Sequence, residues 1–291
     1  MNLDQIQYCP LPVLPTIGSS LKFIDSHCHL DRLDLGDAAS PDIYASRLAA
    51  ALDEARARGV SGFLCVDIDL DNFEAVRTVA DAHDDVWCSV GVHPLGEDEF
   101  SIDPSVETLI QLAGSSEKVV AIGECGLDFF KGKGNRQDQL NRFETQLIAA
   151  CELGLPVIVH SREAREDTLR LLKAYVGQGL RGVLHCFTDT LEMAQAAVDF
   201  GFYVSFSGII TFKNAADLRE TVKALPLSNL LIETDSPYLA PMPYRGKSNQ
   251  PKWVVEVAHC MAEVKGVSPA HIAEQTRNNF FELFDRAIPV N

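Results

Sequence analysis

Phe23-Ile24-Asp25-Ser26-His27-Cys28-His29 is a short apolar run that ends in an H-x-H pair. The side-chain period of two on a strand turns both imidazoles to one face and Cys28 to the other. Glu124, His160, His185 and Asp235 stand in the same way, each at the end of its own apolar run. By the same alternation Cys125 and Cys186, beside Glu124 and His185, point with Cys28 into the packed layer outside. Four histidines and two carboxylates so placed read as a metal site.

On either side of these residues, short β-branched runs alternate with longer segments of helical period. Strands are predicted at 22–27, 61–67, 86–92, 119–124, 156–160, 182–186, 203–207 and 230–234. Helices are predicted at about 42–58, 71–83, 104–116, 136–153, 163–176, 190–200, 214–224 and 251–265. In 136–153, Leu140, Phe143, Leu147, Ile148 and Cys151 keep 3-and-4 spacing, and Gly154-Leu155-Pro156 ends the run. Eight strand–helix units leave a closed barrel or a long doubly wound sheet. The candidate ligands decide between them, because they end strands 1, 4, 5, 6 and 8. A barrel brings such ends to one rim, and an open sheet does not. The expected fold is therefore an α/β (β/α)8 TIM barrel over residues 22–288, with an N-terminal extension at 1–21. An extra C-terminal helix at roughly 269–285 is expected to pack across the outside.

The 291 residues carry a net charge of −16, which argues against a protein that coats nucleic acid through its general field but leaves room for an enzyme that takes a nucleic-acid end into one cleft. The basic residues that matter are those in loops: Lys131, Lys133 and Arg136; Arg162 and Arg165; Arg245 and Lys247. Eight cysteines are scattered without a C-x-x-C pair, mostly inside apolar runs, the pattern of free thiols in a reducing compartment. Pro10, Pro12 and Pro15 occupy the place of a signal peptide's apolar helix, and no stretch is long and apolar enough to span a membrane. The expectation is a cytoplasmic protein with no membrane partner and no obligate protein partner.

Imidazole and carboxylate donors without thiolate suit Zn, Mn, Ni, Fe or, with more oxygen and water, Mg. Six ligands crowd one tetrahedral ion but suit two neighbouring ions bridged by a carboxylate, which activate water for in-line displacement at phosphorus. Asp235 is the best-placed base, ending the run Leu230-Leu231-Ile232-Glu233-Thr234 just before Ser236-Pro237.

Six segments in order, from Phe23 through Asp31, Gly91-Val92-His93-Pro94, Ile122-Gly123-Glu124-Cys125-Gly126-Leu127-Asp128, His160-Ser161-Arg162, Leu184-His185-Cys186-Phe187-Thr188 and Glu233-Thr234-Asp235-Ser236-Pro237-Tyr238-Leu239, closely resemble the TatD family of metal-dependent hydrolases and deoxyribonucleases. The resemblance spans residues 22 to 286. It implies two divalent ions per chain (Mg, Mn or Zn), one held by His27, His29, Glu124 and Asp235 and the other by Glu124, His160 and His185. Arg245 through Pro251 resembles the branch of the family that retains the full H-x-H pair.

His93 is expected either beside the metals, binding the scissile phosphate, or as a turn residue before Pro94. Asp25 and Asp128 either orient ligand imidazoles or cap backbone. His83, His259 and His271 read as structural or surface residues. Arg162, Arg245 and Lys247 are the expected substrate-binding cations, with Asp235, Glu124 and His93 as the catalytic set. The leading reading is a 3'-5' exonuclease-like phosphodiesterase acting on DNA. The alternatives are a hydrolase of a small ester, amide or lactone, and a non-catalytic metal-binding barrel.

Overall fold

The computed structural model describes residues 21–36, 40–95, 103–130 and 135–289. The expected extension at 1–21 lies almost wholly outside the described residues, as do Lys131 and Lys133. Eight parallel strands follow one another around a barrel in sequence order: β1 (Phe23–Cys28), β2 (Val60–Cys65), β3 (Val86–Val90), β4 (Val119–Asp128), β5 (Val157–Arg162), β6 (Gly182–Leu184), β7 (Tyr203–Phe206) and β8 (Leu230–Ile232). A parallel bridge between Cys28 and Ser236 closes the ring. The fold is a TIM barrel, as the convergence of the candidate ligands requires.

Helices α1 (Pro41–Ala57), α2 (Phe73–Asp81), α3 (Val106–Ala113), α4 (Arg136–Leu153), α5 (Arg165–Val176), α6 (Leu191–Asp199), α7 (Ala216–Ala224) and α8 (Val254–Lys265) surround the strands. Most are a few residues shorter than their periodicity predicts, and at α3 and α6 a capping side chain sets the start. Ser105 accepts from the Thr108 amide and opens α3. α4 has the expected bounds: Asn135 accepts from Gln137 N–H, and Gly154 takes the left-handed conformation at the other end.

The barrel interior receives an apolar side chain from every strand: Ile24, Leu64, Trp87, Val120, Ile158, Val183, Tyr203 and Leu231. Here the structure corrects one expectation. Helix α9 (Pro269–Leu283) does not cross the outside; it plugs the barrel at the N-terminal ends of the strands, packing Phe280, Leu283 and Phe284 into this interior cluster. Phe280 meets Trp87 with ring centroids 5.6 Å apart. Asn279 Nδ2 donates to the carbonyls of Leu227 and Leu230 at 2.8 Å each, and Arg286 donates to that of Val119 at 3.1 Å. With the bottom sealed, the open rim lies at the strands' C-terminal ends. No helix among the described residues is long and apolar enough to cross a membrane.

Candidate functional site

Strand β1 reaches the rim through a bulge. From Asp25 to Cys28 it advances three residues while β2 advances two, from Phe63 to Cys65. Ser26 and His27 consequently both face inward; the Ser26 hydroxyl lies 3.3 Å from that of Ser205 and donates to the Ile232 carbonyl at 2.9 Å. Alternation resumes beyond it, so Cys28 packs in the outer apolar layer while His29 turns in. Strand β4 repeats the device, advancing three residues from Ile122 to Cys125 against two from Val157 to Val159. The extra residue is Gly123, with φ +139°. A Cβ there would meet the Ile158 carbonyl oxygen at 2.7 Å, so glycine permits the turn that aims Glu124 at the axis.

Glu124 is the centre of the site. Its Oε2 lies 3.4 Å from His27 Nε2, which is 3.8 Å from Asp235 Oδ1; His29 Nε2 is 3.4 Å from the same Asp235 oxygen. Its Oε1 lies 2.8 Å from His185 Nε2, 3.0 Å from His160 Nδ1 and 3.4 Å from His93 Nε2. All six expected ligands and His93 therefore meet around one carboxylate whose two oxygens face different groups of imidazoles.

Strands β1 and β8 are sutured where they deliver these residues. Asp235 N–H donates to the His27 carbonyl at 2.9 Å and His29 N–H to that of Ser236 at 2.8 Å. Asp25 accepts from both the amide and the hydroxyl of Thr234, at 2.8 and 2.6 Å, so it joins the strands and does not orient an imidazole. Asp128 does orient one, with Oδ2 3.2 Å from His160 Nε2. His29 Nδ1 donates to the Val66 carbonyl at 2.9 Å, which leaves Nε2 to face Asp235. His93 Nδ1 accepts the Leu95 N–H at 3.2 Å, so a neutral His93 carries its proton on Nε2 and presents a donor to the site.

The electrostatics follow from this crowding. Burial alone raises the Glu124 carboxyl, but His185, His93 and His160 outweigh it and hold it well below the usual range. Asp235 is likewise lowered, burial being overcome by the His29 hydrogen bond and the charges of His27, His29 and His185. Burial depresses His27 and His93. It also opposes His29, yet Asp235 and Glu124 push that residue up to about 9. His185 and His160 rise against burial under Glu124, joined by Glu233 and Asp128 respectively.

Three clusters bring one donor atom from each member within 4.8 Å of one another: His27, His29 and Glu124; His93, Glu124 and His160; and His27, His185 and Glu233. Both His27 nitrogens, His185 Nδ1 and both Glu233 oxygens are buried without a hydrogen-bond partner. Such atoms cost about 1–3 kcal/mol each when left unpaired, and a divalent cation is the partner their chemistry suits. Glu233 escapes a reading of the sequence that treats it as strand interior; its signal is its place two residues before Asp235, on the same inward side. Cys186 departs from the expectation for the opposite reason. β6 ends at Leu184, so alternation stops; Cys186 takes φ +42° and sets its Sγ 3.2 Å from the Ser207 hydroxyl instead of entering the outer layer.

The loop cations divide into two kinds. Arg136 pairs with Asp167, and Arg165 with Asp189. Arg162, Arg245 and Lys247 make no ion pair among the described residues and lie over aromatic rings: Arg162 is 4.1 Å from the Phe130 centroid, Arg245 4.6 Å from Phe212 and Lys247 5.9 Å from Tyr244. Asn249 ties down the loop that carries the last two, donating to the carbonyls of Thr234 and Tyr238 at 2.8 and 2.6 Å.

The family model described as TatD related DNase matches residues 24–285. A chain of Escherichia coli (strain K12) named as the uncharacterized metal-dependent hydrolase YcfH is 45% identical over 262 residues, covering 90% of this chain and 95% of that one. The 3'-5' ssDNA/RNA exonuclease TatD of Pantoea ananatis is 34% identical over 257 residues, covering 86% and 98%. The crystal structure of YjjV, a TatD homologue from Escherichia coli, superposes with a TM-score of 0.81 at 31% identity, covering 90% and 98%.

Proposed function

The chain belongs to the family of TatD related DNases and is a metal-dependent hydrolase, and from that premise we propose that it is a deoxyribonuclease of the 3'-5' exonuclease kind, working with two divalent ions. The observation that carries the reading is Glu124, whose Oε2 faces His27 while Oε1 faces His160 and His185. That is the disposition a carboxylate needs to serve two ions at once. His27, His29, Glu124 and Asp235 would hold one, and Glu124, His160 and His185 the other, in a domain spanning residues 22–288. Mg, Mn and Zn all accept such a donor set.

Bound there, divalent ions acidify a water and offset the charge that builds on phosphoryl oxygens. The protein supplies the rest. Asp235, ionised at neutral pH, accepts the attacking water's proton. His93 offers Nε2–H to a non-bridging phosphate oxygen, since its Nδ1 is committed to Leu95. Arg162, Arg245 and Lys247 meet the neighbouring phosphates. The apolar plug behind the site confines water to the rim side. Free thiols at all seven described cysteines suit the cytoplasm as its workplace.

The test is nucleotide release from single-stranded DNA with Mg or Mn, set against Glu124→Ala. Release by the wild type and none by the variant is expected; equal release from both sinks the reading. The net charge of −16 favours a second reading, a small ester, amide or lactone substrate. Turnover that does not fall with added salt would select it, because a polyanion's binding weakens steeply with salt.

A further inference from the structure

Five large apolar residues stand exposed among the described residues, and the two aromatic ones, Phe130 and Tyr238, both belong to the rim. Phe130 is 55% exposed and Tyr238 51%. Among the described residues, Phe63, Phe143, Phe202 and Phe206 are fully buried. Half-exposed rings at the mouth of a site forgo part of the roughly 1.5–3 kcal/mol that full burial contributes.

Their positions relative to the site are complementary. Phe130 follows β4 on the His160 side: its N–H donates to Asp128 Oδ1 at 3.1 Å, and the other oxygen of that carboxylate meets His160. Tyr238 follows β8 on the His29 side, with its ring 6.0 Å from the His29 imidazole and 68° from its plane. One ring therefore flanks each end of the row of ligands that runs from His29 through Glu124 to His160. Both are held in place. Asn249 grips the Tyr238 carbonyl at 2.6 Å, and the Arg162 guanidinium covers one face of Phe130 while the ring stays half exposed. A platform whose backbone is anchored before the ligand arrives spends little entropy on binding.

Resting on the nuclease reading above, we infer that Phe130 and Tyr238 are stacking platforms for unpaired nucleobases, one on each side of the scissile phosphate. The chemistry selects the ligand. An aromatic ring with an arginine on its far face attracts a flat π-system, and Arg162, with Arg245 and Lys247 across the rim, attracts the phosphates that join such bases. A duplex keeps its base faces stacked on each other, so the platforms favour a single strand and set the register of the backbone over the site.

The experiment compares a fluorescent single-stranded oligodeoxynucleotide with one of equal length that is abasic at the two nucleotides flanking the cleaved bond. The readout is the ratio of kcat/KM on the first to kcat/KM on the second. Base–aromatic stacking implies a wild-type ratio of about tenfold or more. Phe130→Leu and Tyr238→Leu, which keep apolar bulk and remove the ring, are each expected to reduce that ratio severalfold, mainly through KM, and together to bring it near one. Phe130→Trp is expected to restore it. A wild-type ratio near one, or Leu variants that retain the wild-type ratio, overturns the inference while leaving the nuclease reading standing. Failure of the wild type to cleave either strand overturns the nuclease reading and this inference with it. Thermal melting and metal content of each variant identify a loss that comes from misfolding; in that event the Trp variants of both positions, which preserve the ring, decide by the same ratio.

Discussion

The imidazoles of His27 and His185 lie face to face, with ring centroids 3.9 Å apart and planes 11° from parallel. His27 comes from the bulged end of β1 and His185 from the residue beyond β6, so the stack couples the two halves of the site directly. Both rings direct Nε2 to Glu124, and behind them lies Glu233, fully buried, with Oε1 3.5 Å from His185 Nδ1. A carboxylate in that place attracts a proton to Nδ1 by its charge and so favours the tautomer that frees Nε2.

Replacing Glu233 therefore acts on ion binding at a carboxylate outside the six expected ligands. Glu233→Gln is expected to weaken divalent-ion binding by roughly 10–100-fold, the usual effect of removing a partner behind a ligating histidine. Titration calorimetry with Mn measures it, and ¹⁵N shifts of the His185 ring report the tautomer. An unchanged dissociation constant together with an unchanged His185 spectrum contradicts the assignment.

Ion binding should also release protons. His29 is pushed up to about 9, so it carries a proton at neutrality that a cation displaces, and His160 and His185 are shifted in the same direction. Affinity is expected to climb as pH rises from about 6.5 towards 9. The sign for the metal-free protein is opposite: a raised histidine contributes stability that is full below its unfolded value of about 6.5 and is lost as pH rises through its folded value. The gap in melting temperature between metal-loaded and metal-free protein should thus widen across that window. A gap that narrows contradicts it.

The strand count, the barrel and the meeting of the six candidate ligands are legible in the sequence because they depend on short β-branched runs and on which residue ends each run. What stays hidden depends on single-residue register. An extra residue at Ser26/His27 or at Gly123 changes which face a side chain takes, and period-two reading cannot see an insertion that only pairing with the neighbouring strand reveals. Cys186 is misplaced for this reason, since strand geometry stops two residues before it. The α9 plug is hidden because an amphipathic helix shows an apolar face without naming the surface it covers. Phe130 and Tyr238 are invisible for a simpler reason, since exposure of a ring is a property of the assembled rim, and Glu233 shows only its inward register two residues before Asp235, its lack of a partner being a property of that rim as well.

Gly126 offers a test of how tightly that register is held. Its φ is +136°, and a Cβ there would fall on the His160 carbonyl oxygen. Gly126→Ala must displace either β4 at Glu124 or β5 at His160, both of which carry candidate ligands. A loss of about 1–3 kcal/mol is expected from the strained conformation, read as a lower melting temperature of the metal-free protein, with weakened Mn binding alongside. Unaltered stability would show that the two strands have slack the register does not suggest.

Lys247 tests the polyanion reading from the side of charge. It makes no ion pair among the described residues, its Nζ lies 5.9 Å from the Tyr244 centroid, and its N–H donates to the Tyr244 carbonyl at 3.0 Å, so the ammonium is presented by a fixed backbone. A lysine that meets one phosphate contributes about one counterion to the salt dependence of binding. Lys247→Ala is therefore expected to make the slope of log(kcat/KM) against log[salt] less negative by roughly 0.7, the single-strand value per phosphate contact, and to do so equally for strands of different sequence. Arg165→Ala is the control, since that guanidinium is already neutralised by Asp189 and should leave the slope near its wild-type value. Equal slopes for Lys247→Ala and the wild type would remove Lys247 from the path of the strand, and a larger change in Arg165→Ala would move that path to the α5 side of the rim.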